Sequence, residues 1–330
     1  MRPSVHRAAT AVIALLCTPA LCAAVDAQAF PTEAPVPGAP SVSGSLPPTP
    51  PSGTGPLYDN TAGPEPDDRN LRWKNTAVIG GIAAIVGTYG TNNWWKDGFS
   101  GSFQTVDEGW FGQNTYAGGA DKAGHIYFTY TGARLLTRAF EAVGNDPRRA
   151  LRLGAWTSLG VMTGVEVIDG FSKEFRFSME DAVANALGAA FAVLVEVDPR
   201  IDALLDFRLL YQKSDDARRV GETDPLADYS GQTYLLAVKA DGIPRLREVP
   251  VVRYLELQFG YNTRGYEPND GPMNDPHRRI YYGVGINLSR LLSDTVFRGG
   301  LKGGKIQRGT DTVLEFLEVP GTAALTYTRL

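Results

Sequence analysis

Three long helical segments joined by connections of only a few residues constrain this chain more than any other feature. The first runs from about Lys122 to Val143, with Asp121 read as its N-cap and Gly144-Asn145 as its stop. The second opens at Asp146-Pro147 and ends at Gly170; the third is announced by Ser178-Met179-Glu180-Asp181, which has the Ser-x-x-Asp form of a capping box, and continues to Val197. Connections this short force consecutive helices to pack as antiparallel neighbours. The uncharged runs Leu153 to Val165 and Ala182 to Val195 are too short to span a bilayer independently and suit a buried bundle.

The segment before these helices reads differently. Arg2, His6 and Arg7 precede the apolar run Ala8 to Cys17, and Ala27-Gln28-Ala29 offers small residues for cleavage, so residues 1–29 are expected to be a secretory signal peptide. Cys17 and Cys22, the chain's two cysteines, both fall inside it, which leaves the exported chain without a thiol, a disulfide or a thiolate metal site. Leu16 and Leu21 precede the cysteines where acylation would need a small residue, so direct lipidation is not expected. Pro31 to Pro66 holds 11 of the 22 prolines, and residues 30–70 read as a Pro-rich disordered spacer.

Asn75 to Trp95 is uncharged for 21 residues, with Trp73 and Trp94-Trp95 placed like interfacial anchors and Gly80, Gly81, Ala84 and Gly87 inviting close helix approach. It is expected either to insert in a membrane or to pack as a buried helix on the bundle. Asp198-Pro199 starts a further amphipathic helix to about Gln212. Beyond Asp228 the period changes to two: Gln232 to Lys239, Tyr254 to Tyr261, Ile280 to Leu288 and Thr312 to Glu318 read as strands. Four strands are too few for a closed transmembrane barrel. The fold expected is mainly α, a bundle of four to five apolar helices over residues 71–215 with a small antiparallel β region over 216–330. A net charge of -4 excludes a general nucleic-acid binder.

The candidate site lies on the three central helices. Asp121 and His125, Glu166 and Asp169, and Asp181 and Asn185 are each spaced by three or four, so each pair shares a helical face. His125 and Glu166 both stand ~27 Å along their helices from the first connection, and Asp181 opens the third helix at that same end. All three pairs can therefore meet. Asp121 and Asp181 also have plain explanations as capping residues. Glu166 and Asp169 sit at a helix C-terminus, where the macrodipole disfavours negative charge, so Lys122, His125 or a bound cation should compensate them. His125, in a first turn, tends toward the neutral form that ligates metal or accepts a proton.

Such residues build either a divalent-metal or acid/base centre or a hydrogen-bonded network that fixes helix register. On the functional reading His125, Glu166 and Asp169 are catalytic, Asp121, Lys122, Asp181 and Asn185 bind, and His125, Glu166 and Asp121 are metal ligands.

Asp121-Lys122-Ala123-Gly124-His125, Glu166 with Asp169-Gly170, and Ser178-Met179-Glu180-Asp181 with Asn185 and Gly188 resemble the YfiM-like family of predicted periplasmic lipoproteins, a domain of unknown function. Asp228-Tyr229-Ser230-Gly231-Gln232-Thr233-Tyr234 is similar to a motif of its longer members. A looser likeness holds to the VanZ-like membrane proteins, with their Asp-Lys-x-x-His, Glu and Asp-x-x-x-Asn pattern. The resemblance implies an envelope location, in the periplasm or on the periplasmic face of the outer membrane, and supplies no reaction. Two functions follow as expectations. One is a membrane-associated envelope component that binds a lipid, membrane protein or other partner through the helical bundle. The other is a metal-assisted or acid/base hydrolase acting on a lipid-linked or cell-wall substrate.

Overall fold

The computed structural model describes residues 68–266 and 275–330. The segments expected to be a signal peptide (1–29) and a Pro-rich spacer (30–70) lie outside the described residues, except for the last three residues of the second. Helix α1 (Asp68–Asn93) is followed by the short strand β1 (Thr105–Val106) and then by α2 (Ala120–Ala142), α3 (Pro147–Asp169), β2 (Phe177–Ser178) and α4 (Met179–Val197). Asp146 caps α3 by accepting from Arg149 N at 3.0 Å, and Ser178 caps α4 by accepting from Asp181 N at 3.3 Å. β1 pairs parallel with β2, which pins the long loop ahead of α2 to the start of α4. The ring of Phe103 lies 5.1 Å from Phe171 and 5.5 Å from Phe177 and seals that junction.

Helices α2, α3 and α4 pack on one another, and α2 is the central one, with Tyr130 and Phe140 fully buried. Gly188 permits this closeness. A Cβ there would run into the carbonyl oxygen of Ile126 on α2, so only glycine lets the two backbones meet.

Helix α1 follows neither of the two expectations for it. It leans on the three helices along a narrow edge, where Val78 and Ile82 meet Leu136, Phe140 and Leu153, and Asn75 and Asn145 exchange amide hydrogen bonds of 3.0 and 2.7 Å. Most of its surface is exposed, and nothing lies within 4 Å of where a Cβ on Gly80, Gly81 or Gly87 would be. Its Gly, Thr and Asn residues dilute its hydropathy. No helix among the described residues is long and apolar enough to cross a membrane.

The C-terminal part is an antiparallel sheet in the order β3 (Leu205–Tyr211), β4 (Gln232–Lys239), β5 (Leu255–Arg264), β6 (His277–Ile286) and β7 (Ala323–Arg329). Two helices lie between β6 and β7, α5 (Leu288–Thr295) and α6 (Lys305–Phe316). Two expectations are corrected here. The helix begun at Pro199 stops at Leu204, and β3 follows, because Phe207 and Leu209 face the core while Asp206 and Arg208 enter an ion-pair network on the opposite face. The segment expected as a strand over 312–318 is helical through Phe316; Leu317 makes a single parallel bridge to Leu209 beside β3.

One face of the sheet is apolar. Leu209, Tyr234, Tyr261 and Ile280 are cross-strand partners in one row, and Phe207, Leu236, Phe259 and Tyr282 in the next. Ala123 and Tyr127 of α2 cover the β3–β4 part of this face, and Tyr130, Ala192, Val195 and Phe316 form a second buried cluster beside it. Each such aromatic side chain contributes roughly 1.5–3 kcal/mol by burial. The other face is polar and buried. Arg208 pairs there with Asp206 at 2.5 Å, Glu256 at 2.6 Å and Glu318 at 3.0 Å.

Candidate functional site

The site begins with the backbone ahead of α2. Ala117, Gly118 and Gly119 adopt φ of 47°, 63° and 90°, a left-handed run that turns the chain into the helix. Gly119 is therefore the N-cap. Asp121 stands in the first turn instead of capping it, which corrects the expectation and frees its carboxylate. The turn is held from the sheet side: Tyr266 OH donates to Gln113 O at 2.5 Å, and Tyr261 OH donates to Gly118 O.

The three polar pairs meet. His125 Nε2 lies 3.4 Å from Glu166 Oε1, 3.7 Å from Asp121 Oδ1 and 4.0 Å from Asp181 Oδ1. Its Nδ1 is 3.0 Å from Asn185 Oδ1, which also accepts from Thr129 Oγ1 at 2.9 Å. Asn185 thus orients the imidazole through Nδ1, and Nε2 is the nitrogen turned toward the carboxylates. Metal-bound histidines are oriented in this same way by a partner on the second nitrogen.

Lys122, fully buried, does not compensate Glu166 or Asp169. Its ammonium lies 3.1 Å from Asp121 Oδ2 and 3.0 Å from Asp181 Oδ1, and also pairs with Glu108. Asp169 turns away from His125 and accepts from Trp95 Nε1 at 2.5 Å. Tyr229 OH donates to Asp121 Oδ1 at 2.7 Å. Glu108, Trp95, Thr129 and Tyr229 escaped the sequence reading as site residues. Glu108 and Trp95 lie in or next to the unperiodic loop before α2, and Thr129 is one helical turn beyond His125 with nothing to distinguish it. Tyr229 alone carried a signal, the tail motif around it.

Burial governs the protonation of this cluster. It raises the Glu166 carboxyl to about 8, helped by Asp181 and Asp121 and opposed by His125. It raises Asp169 to about 7 against the Trp95 hydrogen bond. Asp181 goes up by burial and by the Asp121 charge, although Lys122 pulls the other way. At Asp121 burial works upward too, but His125, Lys122 and the Tyr229 hydroxyl together hold the carboxyl low. Glu166, Asp169 and Asp181 thus keep protons near neutral pH while Asp121 does not, and a cation would displace them.

Two buried atoms of the cluster make no hydrogen bond, Asn185 Nδ2 and Asp181 Oδ1. Asp181 is 3% exposed, and its Oδ1 lies near the Lys122 ammonium in a direction that makes no hydrogen bond. Asp121, His125 and Asp181 each offer a donor atom within 4.8 Å of the others. His125 Nε2 is 3.4 to 4.0 Å from the three carboxylates, so all four groups face one point, and the carboxylates would have to draw together to share one ion. His125 keeps 15% of its side chain exposed, the most open edge of the four.

The architecture defines a helical unit with a buried histidine–carboxylate centre, seated on an antiparallel sheet. Residues 107–197 match the family described as predicted periplasmic lipoprotein, a domain of unknown function. That segment runs from just before Glu108 to the end of α4 and contains every cluster residue except Trp95 and Tyr229. The description puts the chain in the periplasm or on the periplasmic face of the outer membrane. No curated protein and no solved structure matches it.

Proposed function

We propose that the helical unit is a divalent-cation centre of an exported envelope protein, with Asp121, His125 and Asp181 as ligands and Glu166 completing the set. The observation that carries this reading is the convergence of donor atoms of Asp121, His125 and Asp181 within 4.8 Å of one another, at a point where Glu166 Oε1 also comes to 3.4 Å from His125 Nε2. Buried acids that hold protons for want of counter-charge would give them up to a cation. Lys122, tied to Asp121, Asp181 and Glu108, acts as the counter-charge that lets the acids gather before a cation arrives. Calorimetric titration of chelator-stripped protein with Mn²⁺ and Zn²⁺ tests it. One cation per chain is expected, with affinity lost in His125→Ala and Asp181→Asn. No stoichiometric binding of either ion would sink the reading.

A second reading is the hydrolase acting on a lipid-linked or cell-wall substrate. It is favoured by Glu166 and Asp169, whose carboxyls at about 8 and about 7 suit proton transfer near neutral pH. In it these residues would hold a cation that supplies Lewis acidity, the ionised form of Glu166 would take the proton of an attacking water, and the exposed edge of His125 would face the substrate. Partner or lipid binding through the helices rests instead on the exposed stripe Met179, Leu187 and Leu194 of α4. Glu166→Gln separates the two, because it abolishes hydrolysis and leaves surface binding intact.

A further inference from the structure

Over β5 and β6 the sheet has its polarity reversed relative to a water-facing one. Its polar face carries Asp206, Arg208, Glu256 and Gln258, each at most 5% exposed. On its apolar face, beyond the β3–β4 part that α2 covers, Leu257, Phe259, Ile280, Tyr282, Val284 and Ile286 stand between 38% and 53% exposed, adjacent across the β5–β6 pairing and with no charged residue among them. An ordinary solvated sheet hides its apolar face and shows its polar one; the opposite arrangement belongs to strands that face lipid. A contiguous exposed apolar patch of this kind marks a contact surface.

The edge of the patch identifies the occupant. The β4–β5 connection and the segment after β6 leave the sheet at the same end. There Asn287 Nδ2 donates to Asp241 at 2.9 Å and Tyr254 OH to Asp294 at 3.1 Å. Residues 240–254 and 287–308 carry eight Arg and Lys against three Asp and Glu, in a chain whose net charge is -4. Val251, Leu301 and Ile306 project at that end, 57% to 73% exposed, close in sequence to the exposed cations Arg245, Arg247 and Lys302. Apolar side chains interleaved with cations beside an uncharged apolar face are matched to acyl chains under anionic headgroups.

We propose that the exposed apolar face of β5–β6 and this basic end dock on the surface of a bilayer containing anionic phospholipid, without spanning it. The surface is separate from the cation centre and independent of it. Docking uses the reversed face directly: the apolar strands meet the acyl boundary, while Arg245, Arg247 and Lys302 reach phosphate oxygens around them.

The test is flotation of the exported chain with vesicles of phosphatidylethanolamine and phosphatidylglycerol, and in parallel with pure phosphatidylcholine vesicles. Binding to the anionic vesicles that weakens with salt is expected. Arg245→Glu with Lys302→Glu should reduce it about tenfold or more, and Val251→Asp with Leu301→Asp should do the same. All four positions are exposed, so melting temperatures should stay at the wild-type value and report that the variants fold. Equal binding to both vesicle types would overturn the anionic-headgroup assignment. A chain that floats with neither, or a dimer in sedimentation whose formation Phe259→Asp abolishes, would overturn the docking itself and assign the face to another partner or to a second copy. Cation titration of the same charge-reversal variants should be unchanged, which keeps this outcome distinct from that of the metal centre.

Discussion

Stripped of divalent cations, the protein is expected to lose stability as the pH rises from about 5.5 to about 7.0. Glu166 keeps its proton in the folded chain up to about 8, whereas the unfolded chain gives it up near 4.5. Its contribution is therefore complete below the unfolded value and is lost progressively as the pH climbs toward the folded one. Between the two, the folded state binds about one proton more than the unfolded state, and stability falls by ~1.4 kcal/mol per pH unit. Over 1.5 units that is ~2 kcal/mol from Glu166 alone, or roughly 4–8 °C in melting temperature at this size. Asp169, raised to about 7 from 3.8, acts in the same direction, while Asp121, held low, loses its contribution only in stronger acid. Thermal unfolding followed by circular dichroism in chelator provides the measurement. Saturating cation should flatten the profile, because a metal takes the place of the protons, and Glu166→Gln should flatten it without metal. A wild-type melting temperature that stays level or rises over this range in chelator would refute the reasoning, since Glu166 would then be ionised in the fold.

Asn185→Leu removes the acceptor that fixes His125 and should weaken cation binding by about 10–100-fold, read by calorimetry; an unchanged affinity would detach Asn185 from the centre. Gly188→Val drives a side chain into the Ile126 carbonyl on α2 and should cost about 1–3 kcal/mol in urea unfolding; a neutral variant would mean that α2 and α4 are less tightly opposed. Arg208→Ala strands Glu256 and Glu318 without their cation, while Asp206 keeps Lys239, and should destabilise by about 3–5 kcal/mol. A loss below about 1 kcal/mol would class that network with solvent-exposed pairs. Ser178→Ala removes the cap of α4 at a cost of about 1 kcal/mol, measurable as a shift of the denaturation midpoint.

The helical half was legible because its signals are local. Caps at Asp146 and Ser178 and the stop at Gly144 are set by neighbours within a few residues, and short connections then dictate which helix faces which. From that, the meeting of His125, Glu166 and Asp181 could be read without any long-range information. Asp121 misled as a cap because the left-handed run through Gly118 and Gly119 leaves no periodic mark. β3 was hidden for another reason. Asp206 and Arg208 alternate with Phe207 and Leu209 as a strand should, yet charges buried on the face away from α2 invite a helical reading with a polar side turned to water. The strand exists because Glu256 and Glu318, about 50 and 110 positions downstream, neutralise Arg208. No local pattern announces partners at that distance. β7 was missed for a related reason: it is mostly exposed, and only its pairing to β6 makes it a strand.

The centre lies where the two halves join, and this gives the sheet a part in it. Tyr229 reaches Asp121 from the segment leading into β4, Tyr261 of β5 holds Gly118, Tyr266 holds Gln113, and Arg278 of β6 holds Phe111. Four hydrogen bonds from the sheet thus fix the turn that presents Asp121, Lys122 and His125, while Glu166 and Asp181 arrive from helices held independently by packing. Displacing β5–β6 relative to α2 would move the first ligand set against the second, and three distances of 3.4 to 4.0 Å around His125 Nε2 would change together. The strands that carry the exposed apolar face are the same strands that hold this turn. Tyr261→Phe, which keeps the ring and removes the hydroxyl that holds Gly118, should therefore weaken cation binding while leaving vesicle binding unchanged.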